Sequence, residues 1–219
     1  MKTVVPLICI FTTLVAVLVI FGWLLDISFL KTLLPGAITM KFSTALSFLS
    51  SSTCLWFIYR QEMYESTWAD VVIPVTTLSI MILMGVILFS IIFGFTTGFD
   101  DLFVEPTAES LFSNTPGRPS LATMISFFSI AAMAMASMSG ESWKFRVRFY
   151  LFLGLGVSLT GAVALTGYAL GMPLLYYAYL GVSNAMAIHT AGLFFLMGVG
   201  FQLLGWQVTR KNGKAGVPK

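Results

Sequence analysis

Residues 3–25 read TVVPLICIFTTLVAVLVIFGWLL, without one charged side chain. About 20 apolar residues is the length of helix that crosses a hydrocarbon layer roughly 30 Å thick. In that layer only a helix or a closed barrel satisfies its own backbone. The run lacks a small-x-small cleavage site and exceeds the roughly 7–15 residue core of a secretory signal, so it reads as a retained helix. Five further runs, 42–59, 71–93, 119–139, 149–170 and 184–207, are each bounded by polar, Gly or Pro residues. The expectation is an all-α polytopic protein of six transmembrane helices over 1–208, with a short basic tail over 209–219. Of the 219 residues 58% are hydrophobic and only 10% charged. No polar stretch reaches about 50 residues, the lower end of domain size, which excludes an appended kinase, nuclease or dinucleotide-binding domain. The partner this composition demands is the lipid bilayer, and a nucleic acid is not expected.

The basic residues fall unevenly about these runs. Lys2, Arg60, Lys144, Arg146, Arg148, Arg210, Lys211, Lys214 and Lys219 share one face, whereas Lys31, Lys41 and Arg118 share the other with Asp26, Asp100, Asp101, Glu105 and Glu109. Retained basic loops mark the cytoplasmic side, so both termini are expected there. The cytoplasmic connections, 60–70 and 140–148, are short enough to force antiparallel neighbours. The outer connections are longer. One carries LDISFLKTLL before Pro35-Gly36 and predicts a short interfacial helix. The other, 94–118, is punctuated by Gly94, Gly98, Pro106, Pro116 and Gly117.

The three runs that enter from outside begin alike, FSTALSFL at 42–49, LATMISFF at 121–128 and IHTAGLFF at 188–195. Thr44, Thr123 and Thr190 correspond, and each is followed four residues later by Phe48, Phe127 or Phe194 on the same helical face. Upstream, LLDISFL at 24–30, GFDDLFV at 98–104 and GMPLLYY at 171–177 correspond more loosely. Three copies of a two-helix hairpin (3–59, 71–139 and 149–207) account for this, and predict a pseudo-threefold bundle that buries its seams.

The phrases LLPGAITMKFSTALSFL, GRPSLATMISFF and GMPLLYY…AMAIHTAGLFFLMGVG resemble the N-terminal membrane regions of bacterial and archaeal sensor proteins. In those proteins such an input region precedes PAS, histidine-kinase or diguanylate-cyclase domains. The resemblance implies a sensory-input function in the inner (plasma) membrane of a prokaryote. It carries no residue role across. Only VTRKNGKAGVPK follows Gln207, so no output domain is expected and a signal would pass to a separate partner.

Chemistry-bearing residues are sparse. Paired carboxylates, metal-ligand clusters and a nucleophile–base pair are missing from the sequence, which predicts a protein that is not an enzyme and leaves any cofactor unspecified. No Asp, Glu, Lys or Arg lies in the middle of a run, which weighs against a coupled transporter. Cys9 and Cys54 read as small hydrophobes, and Met133, Met135 and Met138 as adaptable packing rather than a copper path. His189, the only histidine, reads mainly as a packing residue with a hydrogen-bonded partner. A proton-sensitive or ligand contact and axial haem ligation are the alternatives. The candidate ligand-binding set is His189, Thr44, Thr123, Thr190, Phe48, Phe127 and Phe194, placed in the outer leaflet for an apolar or amphiphilic ligand. The competing reading is an accessory or scaffold subunit that binds partner helices, lipid, quinone or pigment. A membrane-protein partner or a homo-oligomer is expected in either case.

Overall fold

The structure, a computed structural model, describes residues 3–32, 38–94, 118–176 and 184–215, and the regular elements among them are all helical. They are α1 (Val4–Leu24), the short α2 (Ser28–Lys31), α3 (Phe42–Tyr64), α4 (Ala69–Phe93), α5 (Leu121–Met138), α6 (Trp143–Leu170), a 3-10 turn (Pro173–Leu175) and α7 (Ile188–Ala215). Five of the helices, α1, α4, α5, α6 and α7, are long and apolar enough to cross a membrane. This is a helical membrane protein. A short helix, α2, forms within the segment where one was expected, and Lys31 at its end is buried.

Several boundaries differ from the sequence reading. The run expected at 149–170 begins at Trp143, because Arg146 and Tyr150 are held by Glu62 of α3 and the added turns pack rather than fray. The run expected at 184–207 begins only at Ile188, with Asn184–Ala187 irregular, and continues to Ala215 through the expected start of the tail. Lys211 there donates to the backbone carbonyls of Glu62 and Met63, capping the end of α3. Asp100, Asp101 and most of the 94–118 connection lie outside the described residues.

The helix missing from the apolar five is α3, the second element expected to span. Seven of its first twelve residues are Ser or Thr, counting Ser43, Thr44, Ser47, Ser50, Ser51, Ser52 and Thr53. Its position supplies the reason. α3 contacts α1, α4, α5 and α7, and none of its large apolar residues before Tyr64 is exposed. A helix enclosed by protein has no need to be apolar throughout, and Ser50 and Thr53 return their hydroxyls to the carbonyls of Leu46 and Leu49. The long helices form a closed ring in chain order, with α1 against α3, α3 against α4, α4 against α5, α5 against α6, α6 against α7, and α7 against α1.

Large exposed apolar side chains concentrate on α1, α4 and α6, whereas α3, α5 and α7 turn theirs inward. The three outer helices bury the same register. Val5, Cys9, Thr12, Ala16, Val19 and Gly22 on α1 match Ile73, Thr77, Ile80, Met84, Ile87 and Ser90 on α4 in spacing, and Tyr150, Gly154, Val157, Gly161, Ala164 and Gly167 on α6. Close approach is tightest between α6 and α7. A Cβ added to Gly161 would lie 2.5 Å from the backbone nitrogen of Phe195, and one added to Gly198 would strike the backbone of Ser158.

The connections that follow α1 and α6 are closed by the same bonds. The Ile27 amide donates to Gly22 O and the Met172 amide to Gly167 O. The Met40 amide donates to Lys31 O and the Met186 amide to Tyr176 O. Trp23 Nε1 donates to Met40 O at 2.8 Å, and Tyr168 Oη to Met186 O at 2.6 Å. Lys31 lies over the Trp23 ring at 4.7 Å where Tyr176 stacks on Tyr168 at 4.2 Å. Gly22 and Gly167 leave room for Leu30 and Leu175, respectively, whose Cβ atoms would be 2.7 Å from an added Cβ in both cases. This register pairs Leu30 with Leu175, two residues from the alignment of LLDISFL with GMPLLYY. The position after the helix end, rather than the string of leucines, fixes it. The third string, GFDDLFV, lies outside the described residues.

Candidate functional site

The seven candidate residues occupy two layers at one end of the bundle. Phe48, Phe127 and Phe194 meet one another, with ring centroids 4.9 Å (Phe48 to Phe127), 4.7 Å (Phe48 to Phe194) and 4.9 Å (Phe127 to Phe194). All three are fully buried. The edge-on and tilted geometries set ring edges against ring faces, which is how aromatic quadrupoles attract. Residues far apart in sequence therefore converge on a single point where α3, α5 and α7 face one another. Thr44, Thr123 and Thr190 are buried one turn farther toward the helix starts. Of these, Thr123 has a clear local role: the Ser120 hydroxyl caps α5 by accepting from the Thr123 amide, and the two hydroxyls lie 2.8 Å apart.

His189 precedes Thr190 in the first turn of α7 and is 8% exposed. The hydrogen-bonded partner expected for it is not found: neither ring nitrogen has one among the described residues. Residues 177–183, which lead into this end of the chain, lie outside the described residues. An unpaired buried polar group costs about 1–3 kcal/mol.

A cavity of about 330 Å³ opens at the same end of the bundle, between the start of α5, the C-terminal half of α6 and the turn after it. Its walls are Ala122, Leu159, Val163, Ala164, Leu175 and Met186, with Thr160 and Tyr176 as the polar members. Tyr176 is fixed by its stack on Tyr168, and its carbonyl by the Met186 amide, so this wall is preformed. The Thr160 hydroxyl is already given to Gly156 O. Such a site suits a small, mostly apolar molecule. None of the seven candidate residues lines it, although Ala122 and Met186 neighbour Thr123 and His189 in sequence. Sequence patterns could not find it, because its walls come from three separate segments and share no motif.

The basic end carries a polar cluster that the sequence did not single out. The Glu62 carboxylate of α3 accepts from Arg146 Nε at 2.8 Å and Nη2 at 3.3 Å, and from Tyr150 Oη at 3.2 Å. Arg146 Nη1 also donates to Glu141 O, and Lys211 to Glu62 O. The Glu62 side chain is only 9% exposed. The bidentate fork suits a guanidinium, and the cluster joins α3, α6, α7 and the segment after α5. Its available signal was a lone Glu at the end of an apolar run whose far neighbour begins with WKFRVRFY.

Among the described residues no His, Cys, Asp and Glu side chains gather to hold a metal. Cys9 and Cys54 are buried free thiols. Comparison with family models, curated proteins and solved structures finds no match to this chain.

Proposed function

We propose that this chain is a non-catalytic membrane protein of the sensory-input type, with a site for an apolar or amphiphilic molecule in the outer leaflet. The observation that carries this reading is the preformed cavity of about 330 Å³ beside Tyr176, at the end of the bundle remote from the basic cluster. The orphaned nitrogens of His189 at that end support it, since a ligand or its water could supply the missing partner. In this reading α3 is the sixth span and the bundle is three two-helix hairpins about a pseudo-threefold axis through the phenylalanine cluster. The shared burial register of α1, α4 and α6 and the matched bonds of two outer connections support the repeat. The resemblance of LLPGAITMKFSTALSFL and its companions to prokaryotic sensor input regions supplies the functional class.

Extraction in a mild detergent followed by mass spectrometry tests the site. A small apolar molecule is expected to co-purify with the wild type and to be lost from Leu159→Trp, whose indole fills the cavity while its wild-type leucine already meets lipid. Equal retention by both forms would sink the reading. A stoichiometric protein partner with no small molecule would replace it with the accessory-subunit reading.

The basic end is assigned to the cytoplasm of a prokaryotic inner membrane on the nine-to-three asymmetry of Lys and Arg. In intact cells an impermeant thiol reagent is expected to label Asn114→Cys and to spare Lys214→Cys. The reverse pattern would invert the topology.

A further inference from the structure

A second cavity, of about 470 Å³, opens on the lipid-facing surface between α1 and α3, far from the outer site. Its walls are the apolar sides of Ile10, Leu14, Val17 and Trp56. The hydroxyls at its floor are already used. Thr13 Oγ1 and Ser52 Oγ lie 2.9 Å apart, Ser52 donates to Leu49 O at 3.0 Å, and Thr53 donates to the same carbonyl at 2.8 Å. An occupant is therefore asked for no hydrogen bond, and hydrocarbon satisfies the crevice. At the corresponding level α6 and α7 close on each other. There Gly154 and Gly198 bring the backbones together, and Gln202 Nε2 covers Ser158 with a 3.0 Å bond. The crevice is thus not a feature of every helix pair.

Its shape and surroundings select the occupant. The crevice runs about 10 Å along α1 from Ile10 to Val17, the direction in which acyl chains lie beside a membrane-spanning helix. Trp56 lies toward the basic end of the crevice, and Arg60 follows one turn later on the same face of α3. Arg60 is exposed, with no ion pair among the described residues. Indole and guanidinium in that order are the side chains of a membrane interface. We infer that the crevice holds an acyl chain of a phospholipid from the leaflet at the basic end, with its headgroup phosphate at Arg60. The inference needs only that the bundle spans a bilayer, and stands apart from the outer site.

The test uses the purified full chain in phosphatidylcholine liposomes containing phosphatidylglycerol with a photoactivatable acyl chain. Adducts are expected severalfold more often on Ile10, Leu14 and Thr53 than on Leu78 and Ile82 of α4, which are as exposed as Ile10 and Leu14. Arg60→Gln should lower the crevice adducts about fivefold, the factor expected for one basic side chain near a charged headgroup. Uniform labelling of α1 and α4, an Arg60→Gln variant with unchanged adducts, or cross-linking through the crevice to a second copy of the chain would each overturn the inference. A lost outer-site ligand would leave this result unaffected.

Discussion

Phe48→Ala is expected to destabilise the folded bundle by about 3–5 kcal/mol, measured as a shift in unfolding in mixed micelles. The ring has two aromatic partners, at 4.9 and 4.7 Å, and is fully buried, so truncation leaves a void lined by Phe127 and Phe194. Lipid cannot refill a void on the inner face, and packing is the main attraction between membrane helices. The double variant Phe48→Ala with Phe127→Ala should cost less than the two single changes together, because each removes a contact the other also lost. Phe152→Ala is the control, since its ring is 77% exposed to the lipid side of α6. If Phe48→Ala and Phe152→Ala proved equal, the cluster would not be the packing centre assigned to it.

Gly161→Leu is expected to abolish the folded state. An added Cβ would already collide with the Ala191 carbonyl and the Phe195 backbone of α7, and backbone cannot swing aside as a flexible side chain can. The remaining atoms of leucine would drive α6 and α7 apart along their whole seam. Gly161→Ala should be a partial version of the same failure, in the range of about 1–3 kcal/mol or more that overpacking costs. Gly156→Leu, where no atom lies within 4 Å of an added Cβ, should fold as the wild type does. Size-exclusion behaviour and the unfolding transition in detergent separate these outcomes. A monodisperse, cooperatively unfolding Gly161→Leu protein would show that the close approach of α6 and α7 is not what holds this hairpin.

The meeting of the three phenylalanines was legible, and the cavity was not, because a repeated short phrase carries positional information. Phe48, Phe127 and Phe194 stand in one phrase, FSTALSFL and its two relatives, and a shared phrase at a shared topological position brings its residues to a shared depth. What they do there was not legible. The same three rings could have lined a ligand site, and in the structure they touch each other. His189 shows the opposite gap. It is the one histidine in the sequence, but whether its nitrogens are paired depends on neighbours from other segments. Glu62 carried no signal of its own in the sequence, because a carboxylate at the end of an apolar run is usually solvated. Only the arrival of Arg146, Tyr150 and Lys211 from distant helices makes it a junction.

The sequence by itself determined that this chain is helical and suited to a bilayer. Uncharged runs of about 20 residues leave the backbone no other way to satisfy its polar groups in hydrocarbon. It also determined which residues would share a depth, since each phrase opens a helix at the same point. Tertiary structure alone decided which helices face lipid. The serine-rich α3 is covered by α1, α4, α5 and α7, while the apolar α1, α4 and α6 carry most of the exposed large side chains, a choice made by contacts between segments far apart in the chain. It decided the cavities for the same reason: a void is what packed side chains from several helices fail to fill. No single segment contains that information.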